Sequence, residues 1–167
     1  YRIVDAAGQQ RWVMERGAAI RSATGAVLAL EGIITDITRL KSAEQAAREA
    51  EHRYRSLFDN APEGIFRTHI NGWITDANPT LARIFGYQSV EDLMFGMRDM
   101  SRRLFVQPQR RDEFVLQIKT FGAITHFESE MYRKDGGIIW ISINARGVSD
   151  EQGRLICCEG TVEDITE

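Results

Sequence analysis

An internal repeat constrains this chain more than any other feature. Residues 1–38 align without a gap with residues 129–166, at the constant offset of 128 that separates Asp36 from Asp164. Glycines, one tryptophan and a closing tripeptide dominate the eight identities, so the repeat copies backbone turns rather than a catalytic centre. We therefore expect the first copy to be the end of a module that the second copy contains in full. The identical pairs are Gly8/Gly136, Trp12/Trp140, Gly25/Gly153, Glu31/Glu159, Gly32/Gly160, Asp36/Asp164, Ile37/Ile165 and Thr38/Thr166.

The composition argues against several classes of partner. Of the 167 residues, 43% are hydrophobic and 27% are charged, and the net charge is −3, which is ordinary for a globular protein. Such a chain has no strong attraction for nucleic acid or for an anionic membrane. No apolar run approaches the roughly 18 residues that a membrane span needs, so we expect no membrane contact.

The two cysteines, Cys157 and Cys158, are adjacent in a predicted strand. Neighbouring strand side chains point to opposite faces, a geometry that strains a disulfide and does not suit a metal site. We expect two reduced packing residues in a cytoplasmic protein and no metal site, with a redox role as the alternative.

The first copy reads as three antiparallel strands, Tyr1–Asp5, Gln10–Arg21 and Ala26–Ile34, joined by short turns. Three strands alone leave an apolar face without a partner. We expect this sheet to need cover from the neighbouring domain, from a second chain or from residues upstream.

A stretch without glycine or proline follows from Thr38 to Phe58, and its apolar residues recur at alternating spacings of three and four. This spacing is typical of a single amphipathic helix that packs on a domain or of a parallel two-chain coiled coil. The apolar residues form a narrow seam along the helix, which favours the coiled coil and therefore a homodimer. Three alanines among six seam positions bury little area, so the pairing would be weak. The seam residues are Leu40, Ala43, Ala47, Ala50, Tyr54 and Leu57.

The second copy begins with two short strands around Asn71-Gly72, a pair that predicts a type I′ hairpin. Asn78 precedes Pro79 as an N-cap residue, and Gly86 is placed to end that helix. The predicted elements are strands Glu63–Ile70 and Trp73–Asp76, a helix from Pro79 to Phe85, a helix from the Ser89/Asp92 capping box to about Phe95, helix Gln109–Phe121, and strands Ile124–Arg133, Ile138–Val148 and Arg154–Val162.

This order predicts an α+β fold with one five-stranded antiparallel sheet and its helices on one face. The residues that carry it resemble the PAS sensor family, through GWITDANPTLARIFGY, MYRKDGGIIWI and EGTVEDIT in the second copy and AAGQQRWV and EGIITDIT in the first. The resemblance divides the chain into the last strands of a first PAS domain (1–38), a signalling linker helix (39–58) and a complete PAS domain (59–167).

The resemblance implies that a small molecule can lie between the inner face of the sheet and the helices. One alternating set of the strand at 138–148, either Ile139/Ile141/Ile143 or Trp140/Ser142/Asn144, would face it. The alternative is that the aromatic residues simply fill a small core. The candidate pocket residues are Phe66, Asn78, Leu81, Phe85, Phe105, Phe114, Ile118, Phe127 and Trp140.

Cofactors of this family leave different signatures in the sequence. Photoactive flavin members need a reactive cysteine in a helix, whereas Cys157 and Cys158 of this chain both lie in the last predicted strand. Haem members present a histidine on the long helix, and Gln109–Phe121 contains none; His52, His69 and His126 lie elsewhere. We therefore expect no cofactor and no haem, while a non-covalent flavin, stacked on Trp73 or Trp140, stays open because it needs no diagnostic residue.

The closing tripeptide can do more than end a strand. Asp36 and Thr38, and likewise Asp164 and Thr166, are placed to accept backbone N–H groups at the start of the next helix. Each pair would then tie strand and outgoing helix into one unit that transmits a signal. A simple helix cap is the alternative.

No catalytic motif appears, so we predict no enzyme and no catalytic residue in this segment. The leading hypothesis is a cytoplasmic sensory and dimerisation module, with a histidine kinase or a cyclic-di-GMP cyclase or phosphodiesterase as output domain in the same parent chain. The alternatives are a ligand-free structural protein-protein interaction module and a flavin-binding redox sensor.

Overall fold

The computed structural model describes residues 1–69, 71–100 and 104–166, without the side chains of Asp99 and Met100. The last residue of the predicted strand Glu63–Ile70 therefore lies outside the described residues. The chain divides into two compact units, Tyr1–Tyr54 and Arg55–Glu167, which we describe separately.

The first unit is a three-stranded antiparallel sheet followed by a helix. Strands β1 (Arg2–Val4), β2 (Gln10–Arg21) and β3 (Val27–Asp36) lie in that order, and helix α1 (Thr38–Asp59) begins two residues after β3. The predicted strands agree with these to within two residues. Gly8 and Gly25 close the turns with φ of 77° and 86°, a region that glycine enters without steric cost.

The second unit contains the predicted five-stranded sheet. Its strands are β4 (Gly64–His69), β5 (Ile74–Ala77), β6 (Ala123–Tyr132), β7 (Ile138–Ser149) and β8 (Leu155–Asp164). They lie in the order β5-β4-β8-β7-β6, and every neighbouring pair is antiparallel. The last strand of the chain is therefore the central one.

Three helices cover one face of this sheet, as the order of elements predicted. They are α2 (Pro79–Ile84), α3 (Val90–Met100) and α4 (Pro108–Phe121). Leu81 from α2, Leu93 from α3 and Ile118 from α4 are almost fully buried in one hydrophobic core that also contains Ile141 of β7. Burying side chains of this size is the main stabilising contribution to such a core.

Two local predictions were wrong. Helix α3 runs five residues past Phe95, because Gly96 continues the helix and lets the Tyr87 ring pack closely; a Cβ there would lie 2.6 Å from that ring. The β4–β5 hairpin is not the predicted two-residue type I′ turn, because His69 N–H donates to Trp73 O at 2.9 Å, so the loop is longer than Asn71-Gly72 alone. The turn is closed instead by Gly72 N–H donating to His69 O at 2.8 Å.

Candidate functional site

The start of α1 is hydrogen-bonded to the middle strand of the first sheet. Trp12 N–H donates to the Thr38 hydroxyl at 2.9 Å, and Ile37 N–H donates to Trp12 O at 2.8 Å. Thr38 N–H donates to Asp36 Oδ1 at 2.8 Å. Hydrogen bonds from Thr38, first from its side chain and then from its backbone, lower the pKa of Asp36. The threonine thus bonds to a strand through its side chain while its backbone begins the helix.

The second copy repeats this arrangement bond for bond. Trp140 N–H donates to the Thr166 hydroxyl at 2.9 Å, Ile165 N–H donates to Trp140 O at 2.9 Å, and Thr166 N–H donates to Asp164 Oδ1 at 3.0 Å. The identities of the repeat therefore preserve one hydrogen-bonded joint between a strand and the segment that leaves it. We call these four-residue arrangements the first and second joint.

A close approach of strands accounts for another repeated pair. At Gly160 a Cβ would lie 2.0 Å from Asn144 O, and at Gly32 a Cβ would lie 2.8 Å from Arg16 O. Both obstacles are backbone atoms of the neighbouring strand, which cannot move aside without breaking the ladder. Only glycine fits at either position.

An apolar cavity of about 110 Å³ lies between the sheet and the helices of the second unit. Pockets that hold drug-sized ligands start at roughly 300 Å³, so a flavin does not fit without displacement of the walls. The residues that line this cavity are Phe66, Thr68, Gly72, Ile74, Leu81, Phe85, Met97, Leu104, Phe105, Arg111, Phe114, Val115, Met131, Ile141, Ile143 and Val162.

Most of the predicted pocket residues lie at or beside this cavity. The structure places five of them in its lining: Phe66, Leu81, Phe85, Phe105 and Phe114. Ile118 and Phe127 are buried in the surrounding core, and Asn78 is buried at its edge in a different role.

The prediction for Trp140 as a pocket residue was wrong. The alternation of β7 turns Ile139, Ile141 and Ile143 inward, so Trp140 lies on the opposite face with 44% of its surface exposed. The sequence left both alternating sets open, and only the packing of the helices on one face of the sheet decides between them.

Several lining residues were not predicted, and Arg111 is the most distinctive. It stands three residues before Phe114 and seven before Ile118, which places all three on one face of a helix. That spacing was the available signal. The methionines Met97 and Met131 fill gaps in the wall, a common use of a flexible apolar side chain.

Asn78 joins three segments through four hydrogen bonds of one fully buried side chain. Its Oδ1 accepts from Leu81 N–H at 3.0 Å, which caps α2 as predicted, and also from Ile65 N–H at 2.8 Å. Its Nδ2 donates to Phe58 O at 3.1 Å and to Glu63 O at 2.9 Å. The end of α1, the start of β4 and the start of α2 are therefore held by one amide.

A second contact supports the same junction. The Thr80 hydroxyl donates to Ala61 O at 2.8 Å, two residues after the end of α1. Arg83 in turn donates to that hydroxyl at 2.6 Å. Because Leu81 and Phe66 line the cavity beside these bonds, the wall of the cavity and the end of α1 share one hydrogen-bonded framework.

The predicted seam of α1 lies on the surface of this chain. No residue of α1, all of which the structure describes, is buried, and Leu40, Tyr54 and Leu57 expose more than half of their surface. The pairing of this seam with a second chain stays a prediction.

The cysteines and histidines do not form a site. Burial, followed by the nearby Cys157, raises the pKa of the Cys158 thiol. His69 stacks on Trp73 at 4.8 Å between ring centroids, and His126 N–H donates to Asn144 Oδ1. Within the described parts of the chain, no group of histidine, cysteine and acidic residues could hold a metal ion. Nor does any described helix have the length and apolar character to cross a membrane.

Comparison with known proteins gives a consistent result. The family model of the PAS fold matches residues 52–165. A Sinorhizobium fredii (strain NBRC 101917 / NGR234) protein, y4lL, is 25% identical over 175 residues, which cover 100% of this chain and 20% of y4lL. The sensor histidine kinase TmoS of Ectopseudomonas mendocina is 24% identical over 129 residues, which cover 77% of this chain and 13% of TmoS. The chain thus spans about a fifth or less of these relatives.

A solved structure shows the same architecture. The PAS domain of a Colwellia psychrerythraea protein has a TM-score of 0.57 and 25% identity to this chain, covering 70% of this chain and 98% of that domain. The part of the chain that carries the five-stranded sheet therefore has a fold found in solved PAS domains.

Proposed function

Because this chain belongs to the PAS family, we propose that it is the cytosolic sensory and dimerisation module of a multidomain bacterial signalling protein. Residues 1–38 would end a first PAS domain, 39–58 would form the signalling linker, and 59–167 would form a complete PAS domain. The output domain would lie outside these residues. A histidine kinase is the favoured output, since TmoS is named a sensor histidine kinase; a cyclic-di-GMP enzyme rests on family analogy alone.

One observation carries this proposal: Asn78 bonds the end of α1 to the elements that wall the cavity. Its side chain contacts Leu81 N–H and Phe58 O at once. A ligand that moves Leu81 would therefore strain or relieve the bond to Phe58. The resulting shift in the linker can be no larger than the difference in ligand affinity between the two arrangements.

The second joint would carry the same change out of the five-stranded sheet. Asp164 and Thr166 bond the exit of β8 to β7, two of whose residues line the cavity. Asp36 and Thr38 repeat this geometry at the entry to α1. We propose that these four residues transmit the signal between sheet and helix.

The test uses the whole chain, natively purified, with native mass spectrometry and an absorption spectrum. We expect a small molecule to be retained by the protein and to be absent from Val115→Trp, which fills the cavity. Leu116→Trp is the matched control, since Leu116 is 64% exposed on the same helix.

The second candidate function is a ligand-free interaction module, and the small size of the cavity favours it. A colourless, ligand-free wild-type protein that still forms dimers would support this alternative over the sensor. A yellow protein with a flavin spectrum would instead support the redox sensor.

A further inference from the structure

One cationic side chain lines the cavity among the residues that the structure describes. Arg111 of α4 lines it among side chains that are otherwise apolar, apart from Thr68. None of the described lining residues is acidic. Arg111 is also the fourth residue of a helix that begins at Pro108, where the helix dipole adds partial positive charge.

The two consecutive arginines of α4 differ in what the fold uses them for. Arg110 donates to the Glu113 carboxylate and to Glu128 O, and its guanidinium lies 4.1 Å from the centre of the Phe127 ring. The Arg111 side chain makes no hydrogen bond, ion pair or ring contact with any residue that the structure describes. The Arg110 guanidinium is therefore occupied by contacts within the fold, whereas the N–H groups of the Arg111 guanidinium are available to bind a ligand.

The chemistry of the cavity selects one class of ligand. A guanidinium binds a carboxylate through two parallel hydrogen bonds, an arrangement that a neutral apolar molecule cannot use. Free phosphate would satisfy the arginine but would leave the apolar walls without a partner. A cavity of about 110 Å³ is somewhat smaller than one of roughly 150 Å³ that holds benzene.

We propose that the cavity binds a short-chain monocarboxylate, with Arg111 holding the carboxylate and the apolar lining holding the hydrocarbon. This inference rests on the proposed sensory function and names the ligand class of the same site. The ligand has roughly half a dozen heavy atoms, the size of butyrate.

The test titrates the whole chain with butyrate and, separately, with 1-butanol, which has the same number of carbon atoms but no charge. Methyl resonances of Leu81, Ile141 and Val162 report binding in the cavity, and those of Leu28 in the first sheet serve as the internal control. We expect butyrate to shift the cavity methyls and to bind roughly tenfold or more tightly than 1-butanol, the usual effect of a charged hydrogen bond.

Substitution of Arg111 decides the role of the charge. Arg111→Met should bring the affinities of butyrate and 1-butanol together, and Arg111→Lys should fall between, since lysine keeps the charge without the planar fork. Lys119→Met, which removes an exposed cation of the same helix, should leave the preference for butyrate unchanged. Melting curves of each variant identify any loss of folding.

The failures of the two proposals are distinguishable. Equal binding of butyrate and 1-butanol, or butyrate shifts confined to Leu28, would overturn the carboxylate inference and leave the sensor intact. The carboxylate inference is also wrong, and the sensor is supported, if butyrate does not bind but the wild-type protein retains a small molecule that Val115→Trp lacks. If neither probe binds and no molecule is retained, both proposals are wrong.

Discussion

Asn78 shows how one side chain can serve more than the role its sequence position suggests. Its place before Pro79 predicts the cap of α2, which is one of its four hydrogen bonds. The other three reach Ile65, Phe58 and Glu63, which lie 13 to 20 residues away along the chain. All four polar valences of a fully buried amide are thus satisfied.

Substitutions of Asn78 should separate capping from the link to α1. Asn78→Ala removes all four bonds and leaves backbone groups unpaired, so we expect it to lower the free energy of unfolding by about 2–4 kcal/mol. Asn78→Asp keeps both acceptor bonds but sets a carboxylate oxygen against Phe58 O and Glu63 O. It should destabilise the protein and speed hydrogen exchange in the last turn of α1.

Urea unfolding and hydrogen exchange measure the two effects. Asn71→Ala, in an exposed turn, is the control and should change stability by less than about 0.5 kcal/mol. An Asn78→Asp protein whose α1 exchanges like wild type would contradict a link between Asn78 and the linker.

Gly160 provides a second prediction at the residue scale. A Cβ at this position would lie 2.0 Å from Asn144 O and 2.7 Å from the Cα of Ala145, both in the adjacent strand. We expect Gly160→Ala to lower the free energy of unfolding by about 2–3 kcal/mol, the upper part of the range found when a packed interior is overfilled. Chemical unfolding followed by tryptophan fluorescence measures it.

Gly137→Ala is the matched control, because its Cβ would come within 3.4 Å only of the flexible Asp135 side chain. A loss of stability as large in Gly137→Ala as in Gly160→Ala would show that glycine itself, rather than the strand contact, explains the effect.

At the scale of elements, turn chemistry made most of the fold predictable. Glycines after strands and proline after Asn78 marked boundaries that the structure reproduces to within about two residues, and the repeat doubled that information. Helix α3 was predicted too short, and the contact with Tyr87 that requires a glycine at position 96 comes from tertiary structure.

The candidate site was less predictable than the fold. Alternation within β7 offered two equally regular faces, and only the packing of helices on one of them excludes Trp140 from the cavity. The partners of Asn78 were also invisible, since no local pattern relates it to Phe58 or Glu63. Periodicity reports which residues share a face, but it does not report which face is covered.

The two joints give a prediction with an internal control. Thr38→Val keeps the shape of the side chain but removes the oxygen that accepts Trp12 N–H. We expect hydrogen exchange at that amide to speed up by about tenfold, since a hydrogen bond contributes about 1 kcal/mol or more. Thr166→Val should do the same at Trp140 N–H and leave Trp12 unchanged.

Exchange followed residue by residue measures both amides in each variant. Thr38→Ser, which restores a hydroxyl, should return the Trp12 amide toward its wild-type rate. If Thr38→Val leaves that amide as slow as in wild type, the side-chain hydroxyl does not hold the first joint together.

At the scale of the whole molecule, the two copies differ in how much of their sheet is covered. Leu28, Leu30 and Ile33 of β3 expose at least two thirds of their surface, whereas the corresponding strand β8 lies between β4 and β7. An apolar surface of this kind is unusual for an isolated globular protein. The need of the first sheet for cover, whether from upstream residues, a neighbouring domain or a second chain, stays a prediction.

Pairing of two chains along α1 is the prediction that concerns the whole molecule most directly. Replacing Ala47 and Ala50 with glutamate places two charges at seam positions. In a coiled coil these positions are closed to water, so both charges would be buried. We expect the dissociation constant of the dimer to increase by at least about tenfold, measured by analytical ultracentrifugation across micromolar concentrations.

The matched control replaces Gln45 and His52, on the opposite face of the helix, with glutamate. It adds a similar negative charge and should leave the dimer intact. A wild-type chain that stays monomeric throughout would exclude the coiled coil, and equal weakening in both double variants would indicate general charge repulsion rather than the seam.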